Sequence, residues 1–253
     1  MTEQRINGKA LRGHVEYEGD LIIDGDIPPH THLTVINGSL TLHGNVGTNC
    51  HLIQKTRPPG PSDSALRIIG VVGLGVHLET AGQVEAKHLD RHVTLRGGSL
   101  KAETVADSAD VRVQGDITVS TIHGGGIFEA QGAITVTEGA YPPKHPEGSH
   151  SRLRLSAKGD IHVTGGLRPV LTYPPCLESG GAIHLERVEG PAELKATRNI
   201  TVTDGGVPEG AITGWNPPPH WLSPTATCTL AARPQPRLRV VTLAQTPSAA
   251  GLA

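Results

Sequence analysis

The sequence is poor in aromatic residues: its 253 residues include two Trp, three Tyr and one Phe. Large aromatic side chains fill the thick cores of globular α/β enzymes, so their scarcity argues against that class. The chain has instead 32 Gly and 20 Pro, which indicate many turns around a thin core. Disordered chains can also be rich in Gly and Pro. However, β-branched residues alternate with polar ones through most of this sequence, and that pattern can bury one face of a strand.

The sequence also has a small net charge, few cysteines and no long apolar run. A formal net charge of -2 does not indicate attraction to nucleic acid. Cys50, Cys176 and Cys228 form no CxxC pair, which argues against a disulfide framework and a zinc site. The longest apolar run, residues 68–76, is far shorter than the roughly 20 residues of a membrane helix. No apolar signal-peptide core follows the N-terminus. We expect a cytoplasmic protein with no membrane span, nucleic-acid partner or cofactor.

A five-residue pattern recurs ten times along the chain. It consists of a small turn residue, any residue, an aliphatic, a polar residue, and an aliphatic or Ala, starting at residues 19, 38, 64, 82, 98, 115, 132, 159, 181 and 198. The steps are therefore 19, 26, 18, 16, 17, 17, 27, 22 and 17 residues. A second alternating strand precedes most copies, as at residues 33–35 and 111–113. Two strands joined by a glycine turn cannot bury their apolar face alone, but stacked copies can.

This periodicity predicts an all-β fold, a single-stranded parallel β-solenoid (β-helix) of about ten rungs with an expected right-handed coil. The solenoid should span residues 1–206, including an N-terminal cap. Residues 207–253 should form a Pro-rich connector, a C-terminal strand at residues 238–243 that caps this or a neighbouring solenoid, and a tail. The polar residue in the middle of each copy should point outward, with equivalents about 4.8 Å apart on successive rungs. That outward column reads Ile22, Thr41, Arg67, Glu85, Lys101, Thr118, Thr135, His162, His184 and Thr201.

The segments at residues 19–27 and 38–47 resemble the repeats of the flagellar assembly protein A family, a bacterial β-solenoid domain, and residues 81–89 with the rungs to Val136 have the same character. The resemblance covers roughly residues 15–205. Bactofilins, the polymer-forming bacterial β-helices, have similar rungs and are a more distant likeness. The family implies a cytoplasmic bacterial protein involved in assembly or localisation, and it supplies no catalytic residues to transfer.

Extra residues interrupt the repeat at 55–63, 139–150 and 167–176, and residues 208–224 are irregular. Each insertion follows a second strand, so we expect Pro-rich loops along one edge of the solenoid. They share Tyr-Pro-Pro, Arg-Pro-Pro and Trp-rich motifs. The loops either fold back to cover the solenoid or expose a rigid surface that binds a partner protein or a sugar. The candidate binding residues are Tyr141, Tyr173, Trp215, Trp221, His220 and Arg57.

Other chemical motifs are explained by the repeat. The glycines at residues 70–75 are spaced GxxGxG rather than GxGxxG. His162 and His184 should be outward neighbours, but two imidazoles without a nearby carboxylate make a weak metal site, and a plain surface pair is the preferred interpretation. Asp20, Asp116 and Asp160 share one turn position that other copies fill with Ser, Gln or Ala. Paired catalytic carboxylates are therefore not indicated there.

Three functions stay open at this point. We expect a non-enzymatic scaffold that self-associates through its ends or its loop-bearing edge. The alternative is a binding module that recognises a protein or glycan through the aromatic and Pro-rich loops. A β-helical carbohydrate enzyme would require a groove with convergent carboxylates, for which the sequence offers no candidates outside the repeat.

Overall fold

The computed structural model describes residues 3–55, 65–141, 151–168, 174–190 and 192–204, together with the backbone of 228–230. From β1 to β21 the strands alternate between two parallel sheets, here called sheet A and sheet B. Each strand therefore pairs with the strand two places further along the chain, and each turn of the chain forms one rung. The predicted all-β parallel solenoid of about ten rungs is confirmed.

The strands are numbered in chain order. Sheet A contains β1 (Gln4–Asn7), β3 (Leu21–Asp24), β5 (Leu40–His43), β7 (Ala65–Val72), β9 (Gln83–Leu89), β11 (Ser99–Val105), β13 (Ile117–His123), β15 (Ile134–Tyr141), β17 (Ile161–Val163), β19 (Ile183–Leu185), β21 (Ile200–Val202) and β22 (Cys228–Leu230). Sheet B contains β2 (His14–Glu18), β4 (His32–Ile36), β6 (His51–Lys55), β8 (His77–Glu79), β10 (Thr94–Gly97), β12 (Ala109–Val113), β14 (Gly126–Ala130), β16 (Leu153–Ala157), β18 (Cys176–Ser179) and β20 (Glu193–Ala196).

The core is a set of inward-facing columns of aliphatic side chains that run the length of the solenoid. One column belongs to sheet B and includes Leu52, Leu78, Leu95 and Val111, all fully buried. A second column lies where the chain turns from sheet A toward sheet B, and it is composed of Ile27, Val46, Val72, Leu89, Val105, Ile122, Ala140, Leu167 and Val188. Burying each such side chain contributes about 1.5–3 kcal/mol, which explains how so thin a core holds together.

The outward column predicted on sheet A is confirmed along its whole length. Each of its ten residues is the direct partner of the next, from Ile22 opposite Thr41 to His184 opposite Thr201. Glu85 pairs with Arg67 (Nε to Oε2, 3.2 Å) and with Lys101 (Nζ to Oε1, 3.9 Å). The alternating charges along the chain therefore become neighbours of opposite sign across the rungs.

We expected all the insertions to lie on one edge of the solenoid, and the order of the strands does not support this. In chain order, residues 142–150 and 169–173 come after β15 and β17 of sheet A and before the next strands of sheet B. The chain instead leaves sheet B at Lys55 and enters sheet A at Ala65 on either side of residues 56–64. The expectation is wrong because only the insertion at 56–64 follows a strand that precedes a copy of the repeat, β6, whereas the other two follow β15 and β17, which are copies themselves. Residues 208–224 lie outside the described residues.

The first and last rungs of the solenoid are formed by different arrangements of strands. At the N-terminal end β1 adds a strand to sheet A, a short 3₁₀ turn follows at Gly8–Ala10, and Leu11 is buried in the core; the expected N-terminal cap stays a prediction. At the other end β22 pairs with β21 in sheet A. The C-terminal strand predicted at residues 238–243 lies outside the described residues.

Candidate functional site

Tyr141 is the predicted binding residue that the structure describes. It ends β15 immediately before residues 142–150, and its hydroxyl donates a hydrogen bond to the Glu138 carbonyl oxygen at 2.6 Å. The guanidinium carbon of Arg168 lies 5.5 Å from the centre of its ring, and the His123 ring lies 6.0 Å away. The half-buried ring is therefore held in place by its own chain. The other candidates, Tyr173, Trp215, Trp221, His220 and Arg57, lie outside the described residues, so their role stays a prediction.

The turn aspartates act as links between rungs. Asp116 Oδ1 accepts the backbone N–H of Ala133, and Asp160 Oδ1 accepts that of Ala182, both at 2.7 Å. Asp20 accepts the backbone N–H and the hydroxyl of Ser39, which lowers the pKa of its carboxyl. Each carboxylate thus accepts a hydrogen bond from a backbone N–H of the next rung, a link that the interpretation as turn residues did not include.

A groove of about 580 Å³ lies on the outer face of sheet B in the C-terminal half of the solenoid. Its floor follows one outward column, in which Asp110, Ile127, Arg154, Cys176 and Glu193 are successive partners. We call it the charged groove. Its rim is the corner where the chain returns from two of the insertions to sheet B.

Cations and carboxylates neutralise one another in the charged groove. Arg152 donates to Glu193 Oε2 at 2.6 Å, and Lys195 lies 2.7 Å from the other oxygen of the same carboxylate. The hydrogen bonds from Lys195 and Arg152 lower the pKa of Glu193 to about 2. Arg154 pairs with Glu178 at 3.6 Å. A carboxyl that acts as a general acid needs a raised pKa, and the shift at Glu193 has the opposite sign.

Cys176 lies on the floor of the same groove and is one of two free cysteines among the described residues. Burial raises the pKa of its thiol, and the nearby Glu193 carboxylate acts in the same direction. A nucleophilic cysteine needs its thiolate form, which a lowered pKa favours. Burial and the neighbouring carboxylate thus disfavour the thiolate form of Cys176.

The two histidines that the sequence placed side by side do lie together. His162 and His184 are direct partners on β17 and β19, and their rings stack with centroids 4.6 Å apart and planes 14° apart. The outward neighbours of the pair are Thr135 and Thr201.

A longer array of imidazoles was missed. His14, His32, His51 and His77 begin β2, β4, β6 and β8, and each is the direct partner of the next. We call these four residues the histidine column. The successive ring centroids are 4.6, 5.1 and 5.6 Å apart. The signal was present in the sequence, because each histidine precedes a Val or Leu and the spacings of 18, 19 and 26 residues match the lengths of the rungs.

The histidine column and the floor of the charged groove belong to one outward column of sheet B. Thr94, the partner of both His77 and Asp110, separates them. Burial lowers the pKa of His32, and the neighbouring imidazoles His14 and His51 add to that effect. Within the described ranges, no three or more His, Cys, Asp or Glu side chains converge on a single point.

These features define a parallel β-solenoid with two distinct outer surfaces on sheet B. No protein-family model, curated protein or solved structure shows a significant match to the chain. None of the residues that the structure describes belongs to a helix long and apolar enough to cross a membrane.

Proposed function

We propose that this chain is a structural module that self-associates through the N-terminal end of its solenoid. The observation that carries the proposal is the incomplete burial of the first rung. Val15 and Tyr17 point toward the core but are only partly buried, whereas their partners on the next rung, Leu33 and Val35, are fully buried. An end whose apolar side chains are partly exposed is stabilised when another surface covers it.

The backbone at this end also favours association. Among the described residues, β1 pairs with β3 alone and β2 with β4 alone. Each sheet therefore presents a row of free N–H and C=O groups, which is a template for pairing with a further strand. A second copy of the chain carries the same edge, so two ends can pair about a twofold axis.

The proposal includes the kind of assembly that forms and its place in the cell. A closed dimer forms when two N-terminal ends meet, and a filament forms when an N-terminal end meets the opposite end of another copy. The resemblance to the flagellar assembly protein A family supports a bacterial, cytoplasmic scaffold that helps to assemble a cellular structure.

The test is light scattering coupled to size exclusion over a concentration series, with negative-stain imaging of each peak. We expect a dimer or filament for the wild-type chain and a monomer for Val15→Lys, since a charge on the first rung opposes its burial. Thr118→Lys is the matched control, because it places the same charge on an outward position in the middle of sheet A. A wild-type monomer at all concentrations, or an assembly unchanged by Val15→Lys, would overturn the proposal.

A binding module is the second candidate, and the charged groove favours it. The groove has the volume of a ligand site, and its rim includes the residues that follow two insertions. The Arg152 guanidinium fastens this corner by donating to the Pro174 carbonyl oxygen at 2.6 Å. A protein segment or glycan bound here would contact Ile127 and the paired charges.

A glycan array and a peptide library, probed with the whole chain, test this second function. Arg154→Ala should weaken binding of any ligand held in the groove, whereas Arg67→Ala on sheet A should not. Equal binding by the wild type and Arg154→Ala would place the ligand elsewhere on the chain. Because Arg154 is far from the first rung, this outcome is independent of the self-association assay.

A further inference from the structure

The histidine column carries an inference that is separate from self-association. It consists of four imidazoles on four consecutive rungs, all on the outer face of sheet B. His14 and His51 are exposed and His32 and His77 are half-buried, so an ion from solvent can reach the ring nitrogens. In the middle of the column, His32 and His51 stack with their planes only 7° apart.

The fold does not require imidazole at these positions. The same outward column continues with Thr94, Asp110, Ile127, Arg154 and Cys176. A threonine, a carboxylate, an aliphatic side chain, a guanidinium and a thiol all satisfy the rung geometry at this place. The four consecutive histidines therefore reflect a property of the surface rather than a demand of the core.

Neighbouring imidazoles are suitable ligands for borderline divalent metals. Zn²⁺, Ni²⁺ and Cu²⁺ favour neutral imidazole nitrogen, and rings on adjacent rungs are near enough to share one ion after a change of side-chain rotamer. A carboxylate is also close, because Glu79 Oε2 lies 3.7 Å from His77 Nε2. This carboxylate distinguishes the His77 end of the column from the pair formed by His162 and His184, whose outward neighbours are threonines. The middle pair, His32 and His51, differs from it because its outward neighbours on both sides are further imidazoles.

We propose that the histidine column binds divalent transition-metal ions of the Zn²⁺, Ni²⁺ and Cu²⁺ group, with two imidazoles from neighbouring rungs on each ion. Solvent completes the coordination, since no three protein ligands converge on one point among the described residues. The four imidazoles form at most two such pairs. The site is thus an exposed, exchangeable one, unlike the closed four-ligand sites that hold structural zinc.

Adjacency, rather than the number of histidines, is the feature to test. The double variant His32→Gln/His51→Gln leaves His14 and His77, which are not on neighbouring rungs. The double variant His14→Gln/His77→Gln removes as many imidazoles but leaves His32 and His51 as neighbours. Both variants keep every other histidine of the chain, so ions bound elsewhere contribute equally to both.

The measurement is isothermal titration of the untagged, full-length chain with Zn²⁺ and then Ni²⁺ in a non-chelating buffer. It is run at a concentration where the chain is a single species. We expect saturable binding by the wild type, retention of one ion by His14→Gln/His77→Gln, and loss of that ion in His32→Gln/His51→Gln. The rise in melting temperature caused by the metal should disappear with the ion, and circular dichroism without metal confirms that each variant is folded.

Three results would overturn the proposal. The first is the absence of saturable binding by the wild type, which would leave ring stacking as the role of the column. The second is equal loss in the two double variants, which would mean that neighbouring rungs do not share an ion. The third is unchanged binding by His32→Gln/His51→Gln, which would place the ions elsewhere on the chain.

Discussion

Phe128 is the single phenylalanine of the chain and the largest fully buried side chain among the described residues. It lies in the inward column of sheet B, between Val111 and Leu155 on the adjacent rungs, and these partners are also fully buried. Phe128→Ala removes the ring and leaves a cavity. Such a change in a protein core costs about 3–5 kcal/mol.

The upper half of this range is expected here. The cost of a cavity depends on how far its walls can move inward. The neighbours of Phe128 stand on strands whose separation is set by the ladder of backbone hydrogen bonds, so they cannot close the gap along the solenoid. Phe128→Leu keeps most of the volume and should cost less, about 1 kcal/mol.

Chemical denaturation followed by far-ultraviolet circular dichroism measures the effect. Ile127→Ala is the matched control, since Ile127 adjoins Phe128 on β14 but faces outward and is 36% exposed. We expect the control to cost about 1 kcal/mol or less. A Phe128→Ala protein within 1 kcal/mol of wild type, or a control that costs as much, would refute the idea of a rigid, close-packed core.

Three other perturbations test the corners and the groove. Gly125→Ala would place a Cβ 1.8 Å from the backbone oxygen of Ser151. We therefore expect the free energy of unfolding to fall by about 2 kcal/mol or more in the same denaturation assay. A variant as stable as the wild type would contradict the packing of this corner. Asp116→Ala leaves the Ala133 N–H without its acceptor and should cost about 1 kcal/mol, whereas Asp116→Asn keeps an acceptor and should cost less. The pKa of Glu193 is lowered from 4.5 to about 2, so the folded chain binds fewer protons than the unfolded chain between these values. The stabilisation by this carboxylate should be complete above pH 4.5 and should disappear as the pH falls toward 2. The loss should be about 1 kcal/mol or less, because the ion pair is accessible to solvent. Glu193→Gln should lack this part of the pH dependence.

The sequence predicts the fold well because each rung repeats the same physical requirement. An inward aliphatic residue at a fixed distance from a turn residue determines the register, so the outward order from Ile22 to Thr201 could be written before the rungs were seen. Gln54 shows the limit of this reasoning. It is a polar residue at an inward position, and it is satisfied inside the core by donating to the Gly38 carbonyl oxygen and accepting from the Thr80 hydroxyl.

The candidate sites were harder to predict, because they depend on which rungs become neighbours on sheet B. The repeat was aligned on the strands of sheet A, and this alignment made His162 and His184 the visible histidine pair. The strands of sheet B were recognised only as the segments that precede each copy, so their outward residues were never aligned. The same omission concealed the charged groove, since Asp110 and Glu193 lie 83 residues apart in the sequence but four rungs apart in the sheet.

The linear arrangement of the solenoid allows its surfaces to be tested separately. Each rung contacts its neighbours, so an effect at one place weakens along the stack. His32 on β4 and Arg154 on β16 are six strands apart in sheet B, which is about 29 Å at the usual spacing of 4.8 Å. At that distance the changes in the free energy of unfolding caused by His32→Gln and Arg154→Ala should add to within about 0.5 kcal/mol. Additive effects mean that the histidine column and the charged groove act independently; a larger coupling would mean that the stack transmits a change in packing from one surface to the other.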